Sequence, residues 1–523
     1  MNTKKVGVEY FFMRLDRAKN TKRNVIIGGI DKVSGVLLPF IVRTMILHVI
    51  GAEYLGLTAL YYSIVQMLNL VEMGFGQAIV YTMYKPIAEN DTPAIKALLK
   101  FYSKVYTISG IIVTVIGVGI MPFLPSMIEG EPPSDINIYY LYLIYLINTL
   151  LGFFIYPQYK ALLLAHQRDD VSGSIHIFTQ LAMYILQAGV VILTKNYYLY
   201  AAMMPLTTLI YNVLNGIRVK KKYPQYRPEG NLDPAVYGGI KKQVAGLMIR
   251  KLAMLSRNAF DSAFVSAYIG LTMTTIYGNY YYIVDSVAVI LAVVKTSMAG
   301  GVGNSIALDS KEKNRKDMQN IDFLYMWLSG WFTATMLVLY QPFMDIWVGE
   351  ELMLPFGCAI LFSIYFYILK MSDIRTLYAE SSGIWWESRY ISVAEALSNI
   401  LLNWIFIQLW GVYGIIIATI ISYFIFNFVG GAVVLFKYFF TEGGIKEYFK
   451  SHLIYALISA VVVTVTYLIS ELVTFGGIPG FIIKGVICVI LPNIMFLLVY
   501  FKSEHFKNSR PLVEKVLKIK KEK

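Results

Sequence analysis

Long apolar blocks alternate with short polar segments along the whole chain. Each block approaches the roughly 20 residues that an α-helix needs to cross about 30 Å of hydrocarbon. Two block cores, IIVTVIGVGIMPFL at 111–124 and LISAVVVTVTYLI at 457–469, contain no charged residue. This pattern predicts an all-α polytopic membrane protein.

The blocks and the turn signals between them divide the chain into fourteen predicted transmembrane helices. These spans are expected near 24–48, 54–81, 101–125, 136–160, 172–194, 197–217, 240–268, 271–298, 320–345, 352–376, 388–409, 412–437, 452–470 and 479–501. Counted from a cytoplasmic N-terminus, every second loop carries Lys or Arg, whereas the intervening loops contain Lys195 as their only basic residue. Because Lys and Arg favour the cytoplasmic side of a membrane, both termini are predicted to lie in the cytoplasm.

One stretch of sequence recurs halfway along the chain. GAEYLGLTALYYSIV at 51–65 aligns without a gap with GLTMTTIYGNYYYIV at 270–284, and each opens the span that follows a charge-bearing one. Spans 1–6 and 7–12 are therefore predicted to be two parallel copies of one six-helix unit, with a site expected between them. The predicted parts are a basic cytoplasmic tail (1–23), an N-terminal six-helix lobe (24–218), a cytoplasmic linker (219–239), a second lobe (240–440), an extra helix pair (441–503) and a second basic tail (504–523).

Composition supports the membrane interpretation. Only 15% of the 523 residues are charged and 57% are hydrophobic, whereas soluble domains carry roughly 25% charged residues. The mean hydropathy is +0.57. The net charge of +13 would suit a nucleic-acid partner, but it arises largely from the predicted cytoplasmic loops and tails. We therefore expect no nucleic-acid partner.

No enzyme or metal signature competes with this interpretation. The sequence lacks the Gly-x-x-x-x-Gly-Lys-[Ser/Thr] phosphate loop, and its five histidines show no metal-ligand spacing. GGVGNS at 300–305 follows no predicted strand, so it does not indicate a nucleotide loop. We predict that the protein is not an enzyme and has no catalytic residue, metal or cofactor.

Ten polar or charged residues stand out inside the predicted spans. An ionised group at mid-membrane costs about 2.5–3.5 kcal/mol on insertion scales, so such groups are expected to face a bundle interior or a watery cavity. Lys295 lies near a cytoplasmic end, where a lysine is also able to extend to water. The ten candidates are Asp31, Arg43, Gln66, Asn69, Glu72, Arg250, Arg257, Asp261, Asp285 and Lys295.

Structural and functional roles remain open for several of these candidates. Arg257 and Asp261 lie one helical turn apart and are able to pair with each other. Arg43 and Arg250 have no carboxylate three or four residues away, which favours a cavity role. Glu72 is expected to face inward, either to bind a cation or to tie span 2 to span 1.

Three stretches carry a family resemblance. They are IGAEYLGLTALYYSIVQMLNLVEMGFGQAIVYTMYKPIAENDT at 50–92, PPSDINIYYLYLIYLINTL at 132–150 and KALLLAHQRDD at 160–170. With them the chain resembles the bacterial polysaccharide flippases, the Wzx-like branch of the multidrug/oligosaccharidyl-lipid/polysaccharide (MOP) exporter superfamily. The resemblance implies two lobes in a V around a central cavity that opens alternately to each side of the plasma membrane.

The same resemblance implies a substrate and a set of site residues. The substrate would be a polyprenyl-diphosphate-linked oligosaccharide moved to the outer leaflet, with a polysaccharide polymerase and glycosyltransferases as partners. Cations line the cavity in relatives, and the matching positions here are Arg43, Arg250, Arg257 and Lys295. Span 2 departs from that pattern because it offers Glu72 instead of a cation.

The physical chemistry of such a substrate agrees with this function. A diphosphate is too costly to desolvate in hydrocarbon unaided, and arginine forks match phosphate oxygens, while the prenyl tail is able to stay in lipid. Two rival functions remain: a drug or cation antiporter of the same superfamily, and a flippase for the lipid-linked peptidoglycan precursor. A membrane glycosyltransferase or polymerase would need a large outer catalytic loop, and the longest predicted outer loop has only about ten residues.

Overall fold

A computed structural model describes most of the chain. The described residues are 27, 30–31, 33–69, 75–166, 168–234, 237–238, 260–384, 387–441 and 443–509. They form helices joined by turns, with no strand among them. This confirms the all-α fold. Three of the candidate residues, Glu72, Arg250 and Arg257, lie outside the described positions.

The described residues fall into two compact units. The first comprises the residues up to 259 together with Gly270–Thr272, and the second comprises Phe260–Ile269 and everything from Met273 onward. The helices of the first unit are α1 (Val33–Val49), α2 (Ala52–Leu68), α3 (Phe75–Ala88), α4 (Thr92–Ile120), α5 (Ile138–Phe154), α6 (Pro157–Ala165), α7 (Asp169–Thr194) and α8 (Tyr197–Lys222).

Several of these helices begin where a side chain caps the free backbone N–H groups. Asp91 accepts from the N–H of Ala94 at the start of α4, Asn137 caps α5, and Asn196 caps α8. The chain bends by 53° between α5 and α6, where Pro157 cannot continue the α5 hydrogen-bond ladder. The predicted fourth span therefore ends in a bend followed by a further short helix.

The second unit contains the longest helices. They are α9 (Leu271–Leu308), α10 (Lys311–Val348), α11 (Phe356–Met371), α12 (Asp373–Ser381), α13 (Arg389–Trp410), α14 (Val412–Ser422), a π-helix (Tyr423–Gly430), α15 (Gly431–Tyr438), α16 (Ile445–Ser470) and α17 (Gly477–Tyr500). The first two residues of α9 belong to the first unit. The α14, π and α15 segments run on as one apolar stretch, Val412–Tyr438, which matches the predicted twelfth span.

Within the described part of the chain, nine helices are long and apolar enough to cross a membrane, or ten if α5 and α6 count as one bent span. The protein is therefore a multi-pass membrane protein. The count of fourteen stays a prediction, because predicted spans 1, 2 and 7 include residues outside the described ranges.

The two copies of the repeated stretch start in the same way. Gly51 precedes α2 with a φ of 136°, and Gly270 precedes α9 with a φ of 113°. A residue with a Cβ atom rarely adopts such a φ, so glycine suits both starts. The sequence match at 51–65 and 270–284 thus reflects a shared backbone turn.

The aligned tyrosines of the two copies are both buried, and each makes a hydrogen bond to the backbone near the start of another predicted span. The Tyr61 hydroxyl, fully buried, donates to the carbonyl of Ile138 at the start of the fourth predicted span (2.9 Å). The Tyr280 hydroxyl, also fully buried, donates to Oε1 of Gln341 and accepts from the backbone N–H of Leu354 (3.1 Å), just before the tenth predicted span. The repeat therefore extends from sequence to side-chain contacts within each unit.

The final helix pair, α16 and α17, packs against α10 within the second unit. Trp327 and Trp331 of α10 donate from their indole nitrogens to the Asn493 side chain (3.0 Å) and the Cys488 carbonyl (2.8 Å) of α17. Gly330 lies between them, and a Cβ atom there would meet Phe496 and Ser459 at 2.6 Å each. Close approach at Gly330 therefore lets both terminal helices lie on α10.

Candidate functional site

Arg43 is the described candidate cation of the first unit. It lies on α1 in a partly buried position, next to the buried residue Val42. It interacts electrostatically with Tyr200 of α8, whose ring is buried. The structure thus places the guanidinium, with its fork of N–H donors suited to phosphate oxygens, between α1 and α8.

Asp31 accepts a hydrogen bond that the sequence did not predict. Its Oδ1 lies 2.7 Å from Nδ1 of His176 on α7, and Nε2 of that ring lies 3.1 Å from the side-chain amide nitrogen of Gln180. Since the amide nitrogen donates, Nε2 accepts and Nδ1 carries the proton that is donated to Asp31. A neutral imidazole satisfies this contact. Asp31 therefore ties the region preceding α1 to α7.

Gln66 and Asn69 occupy the C-terminal end of α2. Both are partly buried, and Asn69 directly follows the last residue of the helix. Their predicted partner Glu72 is not described, so the predicted polar side of span 2 stays a prediction.

In the second unit, Lys295 lies in a cluster with residues that the sequence analysis missed. Its Nζ is 3.6 Å from Asp373 of α12, and Lys370 of α11 contacts the same carboxylate at 3.1 Å. The Tyr325 hydroxyl donates to Asp373 (2.5 Å), and Asp285, exposed on α9, interacts electrostatically with Lys370. The structure thus places Lys295 and Lys370 on one carboxylate, that of Asp373, with Asp285 within electrostatic range of Lys370.

The two lysines of this cluster differ in how tightly they are held. The Lys370 side chain is 4% exposed and also points toward a backbone carbonyl of α9, whereas the Lys295 side chain is 17% exposed and lies farther from the shared carboxylate. Lys295 is held by Asp373 and does not simply extend to water. It is the lysine that is better placed to exchange its carboxylate for another anion.

A sequence signal for this cluster existed. The segment ILKMSDIRTL carries Lys370, Asp373 and Arg375 at the end of a predicted apolar span, and the first two are three residues apart. Such a spacing places two side chains on one helix face, and a charged group inside a span is a site hypothesis by default.

Asp261 is buried in a set of neutral donors. Its side chain accepts hydrogen bonds from Tyr277 of α9 (3.0 Å), Asn403 of α13 (2.6 Å) and Thr419 of α14 (3.0 Å). The residue is only 1% exposed. Three donors offset the desolvation of a buried carboxylate. Asp261 thus joins the helical residues 260–268 to three other helices. Whether Arg257 also contacts Asp261 lies outside the described residues.

Comparisons with known proteins establish the fold. No protein-family model and no curated protein matches the sequence. Among solved structures, the lipid II flippase MurJ in an inward closed conformation aligns with a TM-score of 0.65 at 13% identity, covering 91% of this chain and 98% of that chain. A multidrug resistance MATE family transporter of the MOP superfamily, inward-facing, aligns with a TM-score of 0.63 at 12% identity, covering 80% and 99%.

A third solved structure is a MOP superfamily transporter from Pyrococcus furiosus whose description reports a binding pocket of reversed polarity. It aligns with a TM-score of 0.57 at 12% identity and covers 82% of this chain and 97% of that chain. The chain therefore has the fold that MATE transporters and the lipid II flippase MurJ share.

Proposed function

We propose that the protein is a flippase that moves polyprenyl-diphosphate-linked oligosaccharide repeat units from the inner to the outer leaflet by alternating access. The observation that carries the proposal is the presence of cations, Arg43 on α1 and Lys295 on α9, inside helices of a transporter fold. An anionic headgroup needs such groups in place of water, because desolvating its charge in hydrocarbon is prohibitive. Arg250 and Arg257 are proposed to belong to the same set.

The folds of the two rival transporter classes match different shares of this chain. The aligned MATE structures leave about a fifth of the chain unmatched, although nearly all of each MATE chain is used. The lipid II flippase covers a larger share of this chain. A flippase for the lipid-linked peptidoglycan precursor is thus the closer rival, since its substrate also carries a diphosphate.

The proposal includes a setting for the protein. It would lie in the bacterial plasma membrane with both termini in the cytoplasm, surrounded by lipid and working with a polysaccharide polymerase and glycosyltransferases. The prenyl chain of the substrate would remain in lipid while its headgroup crosses.

Replacement of the two described cations tests the proposal. We expect Arg43→Ala and Lys295→Ala each to reduce transport at least tenfold, the effect of losing about 1.4 kcal/mol of interaction. Arg43→Lys should restore only part of the activity, because a point charge replaces a bidentate fork. The transport rate of each variant is measured with purified protein in liposomes, as the rate at which a fluorescent lipid-linked oligosaccharide reaches the opposite leaflet.

A matched lysine provides the control. Lys484 of α17 pairs with Glu471 at 3.0 Å, and its side chain is 14% exposed, close to the value for Lys295. Lys484→Ala removes a similar ion pair outside the proposed site and should leave transport within about twofold of wild type, since a partly exposed pair contributes little. Equal losses in the Lys295 and Lys484 variants, or full activity of the Arg43→Ala, Lys295→Ala double variant, would remove these cations from the mechanism.

A further inference from the structure

A histidine and an aspartate meet in the interior of the second unit, apart from the proposed cation site. Nε2 of His452 on α16 lies 3.1 Å from Oδ2 of Asp322 on α10. Their side chains are 1% and 5% exposed. The contact therefore joins the terminal helix pair to the rest of the unit, out of reach of bulk water.

The hydrogen bonds of the ring fix which nitrogen of His452 carries a proton. Nδ1 lies 3.1 Å from the carbonyl oxygen of Tyr448, and a carbonyl only accepts. Nδ1 must therefore be the donor, and in a neutral ring Nε2 is a bare acceptor. It faces a carboxylate oxygen, although the angle is not that of a regular hydrogen bond, and the backbone carbonyl of Met371 also lies against the ring. Two acceptors at this distance repel each other unless one further proton lies between them.

The charges around the pair also call for one proton. Arg375 of α12 interacts electrostatically with both Asp322 and His452. Its guanidinium donates to Oδ1 of Asn427 (2.8 Å), and the amide of Asn427 donates to Glu395 (3.1 Å). The guanidinium therefore donates to a neutral amide and not directly to Asp322, and an ionised carboxylate buried in this way is costly. One added proton on the histidine–aspartate pair removes that cost.

The remaining titratable groups that face the pair do not supply this charge at neutral pH. They are phenols, which stay protonated there, and they come from the helices packed around it. These groups are Tyr325 of α10, Tyr367 of α11, and Tyr448 and Tyr455 of α16. Behind them lie Tyr423 of the π-helix and Tyr500 of α17.

A second histidine–aspartate contact among the described residues, which is partly exposed, shows the difference. At His176, Nδ1 donates to Asp31 while Nε2 accepts from Gln180, so a neutral ring satisfies both neighbours. At His452, Nδ1 donates to the carbonyl of Tyr448, so its proton is not available to a carboxylate. Only the second arrangement is incomplete without an added proton.

We propose that His452 and Asp322 bind one proton between them and that this proton fastens α16 to α10. Its loss leaves a bare nitrogen facing an ionised carboxylate in the interior. The terminal helix pair is then held less tightly. This site gives the protein a response to pH that does not depend on the proposed substrate.

The sign of the pH effect follows from linkage. In the unfolded chain above about pH 6.5, the histidine is neutral and the aspartate ionised, so neither holds the proton. The folded pair holds it, and therefore stability falls as pH rises above that value until the folded pair releases the proton. Each pH unit in this window lowers the folding equilibrium constant up to tenfold.

Asp322→Asn tests the proposal because it replaces the bound proton with a permanent donor. The Asn amide is able to donate to Nε2 of neutral His452, so we expect the variant to fold and to lose the pH dependence of stability that the wild type shows. Thermal unfolding of the purified full-length protein between about pH 6 and about pH 9, on either side of the free histidine pKa, measures this. His452→Gln, which donates an amide N–H to Asp322, should also flatten the pH dependence.

His176→Gln is the matched control and should keep the wild-type pH dependence, whatever its effect on stability itself. If Asp322 were only a structural anion for a neutral histidine, Asp322→Asn would lower stability equally at every pH. That result, or an unchanged pH dependence in both Asp322→Asn and His452→Gln, would overturn the proposal.

Discussion

At the scale of single residues, the charged side chains within the helices differ in what holds them. Among the described residues, the donors to Asp261 are neutral, Lys295 shares a carboxylate with a second lysine, and Asp31 accepts from a histidine. A charge held by three fixed neutral donors contributes to the fold. A charge that shares its partner is easier to redirect toward a substrate.

Asp261 should therefore matter for stability more than for transport. Asp261→Ala leaves the buried donors of Tyr277, Asn403 and Thr419 without their acceptor, and each such group costs about 1–3 kcal/mol. We expect a large fall in thermal stability for Ala and a much smaller one for Asn, whose side-chain oxygen still accepts. Unfolding of purified protein measures this, with Asp285→Ala, at an exposed position on α9, as the control. Equal stability of Asp261→Ala and wild type would contradict the structural role.

The sequence indicated which charged residues lie inside apolar spans, but not which residues form hydrogen bonds or ion pairs with them. Asp261 and Lys295 stood out because charges are rare inside apolar spans. Their partners Asn403 and Asp373 lie far away along the chain, and helical periodicity relates only residues a few positions apart. Lys370 and Asp373 were missed because they fall at the end of a span, where charges are ordinary.

At the scale of the elements, sequence pattern predicted helix positions well and helix interruptions poorly. The predicted last two spans, 452–470 and 479–501, correspond to α16 and α17 within a few residues at most ends. The bend after α5 and the π-helix at Tyr423–Gly430 were not predicted. Hydropathy averages over a whole span, and it carries no information on a local change in hydrogen-bond register.

The contact of α16 and α17 with α10 depends on the absence of a side chain at Gly330. Gly330→Ala would place a Cβ atom 2.6 Å from the side chains of Ser459 on α16 and Phe496 on α17, so both side chains must move. Overpacking of this kind typically costs about 1–3 kcal/mol. We expect a lower unfolding temperature for purified Gly330→Ala.

Gly485 of α17 is the matched control for that substitution. Nothing lies within 4 Å of a Cβ atom at this position, so Gly485→Ala should be neutral or raise stability by up to about 1 kcal/mol through helix propensity. If both alanine variants behaved alike, close packing at Gly330 would not be what joins α16 and α17 to α10.

At the scale of the whole molecule, the internal repeat was the most informative sequence feature. The match between 51–65 and 270–284 predicted two related units, and the structure places a glycine start and a buried tyrosine at the same points of each copy. Glycines and packed aromatic residues persist in a repeat because backbone conformation and packing both depend on them. The cytoplasmic position of the termini, the count of fourteen spans and the domain boundaries remain predictions.

Substrate class is the central claim, and transport by the wild-type protein in liposomes tests it most directly. Three labelled substrates are compared under the same transmembrane ion gradient. They are a polyprenyl-diphosphate oligosaccharide, the lipid-linked peptidoglycan precursor and an organic cation. We predict transfer of the oligosaccharide lipid between leaflets at least tenfold faster than that of the other two, a difference of about 1.4 kcal/mol in activation free energy. Preference for the peptidoglycan precursor would assign the rival flippase function, and uptake of the organic cation without flipping of either lipid would contradict the account.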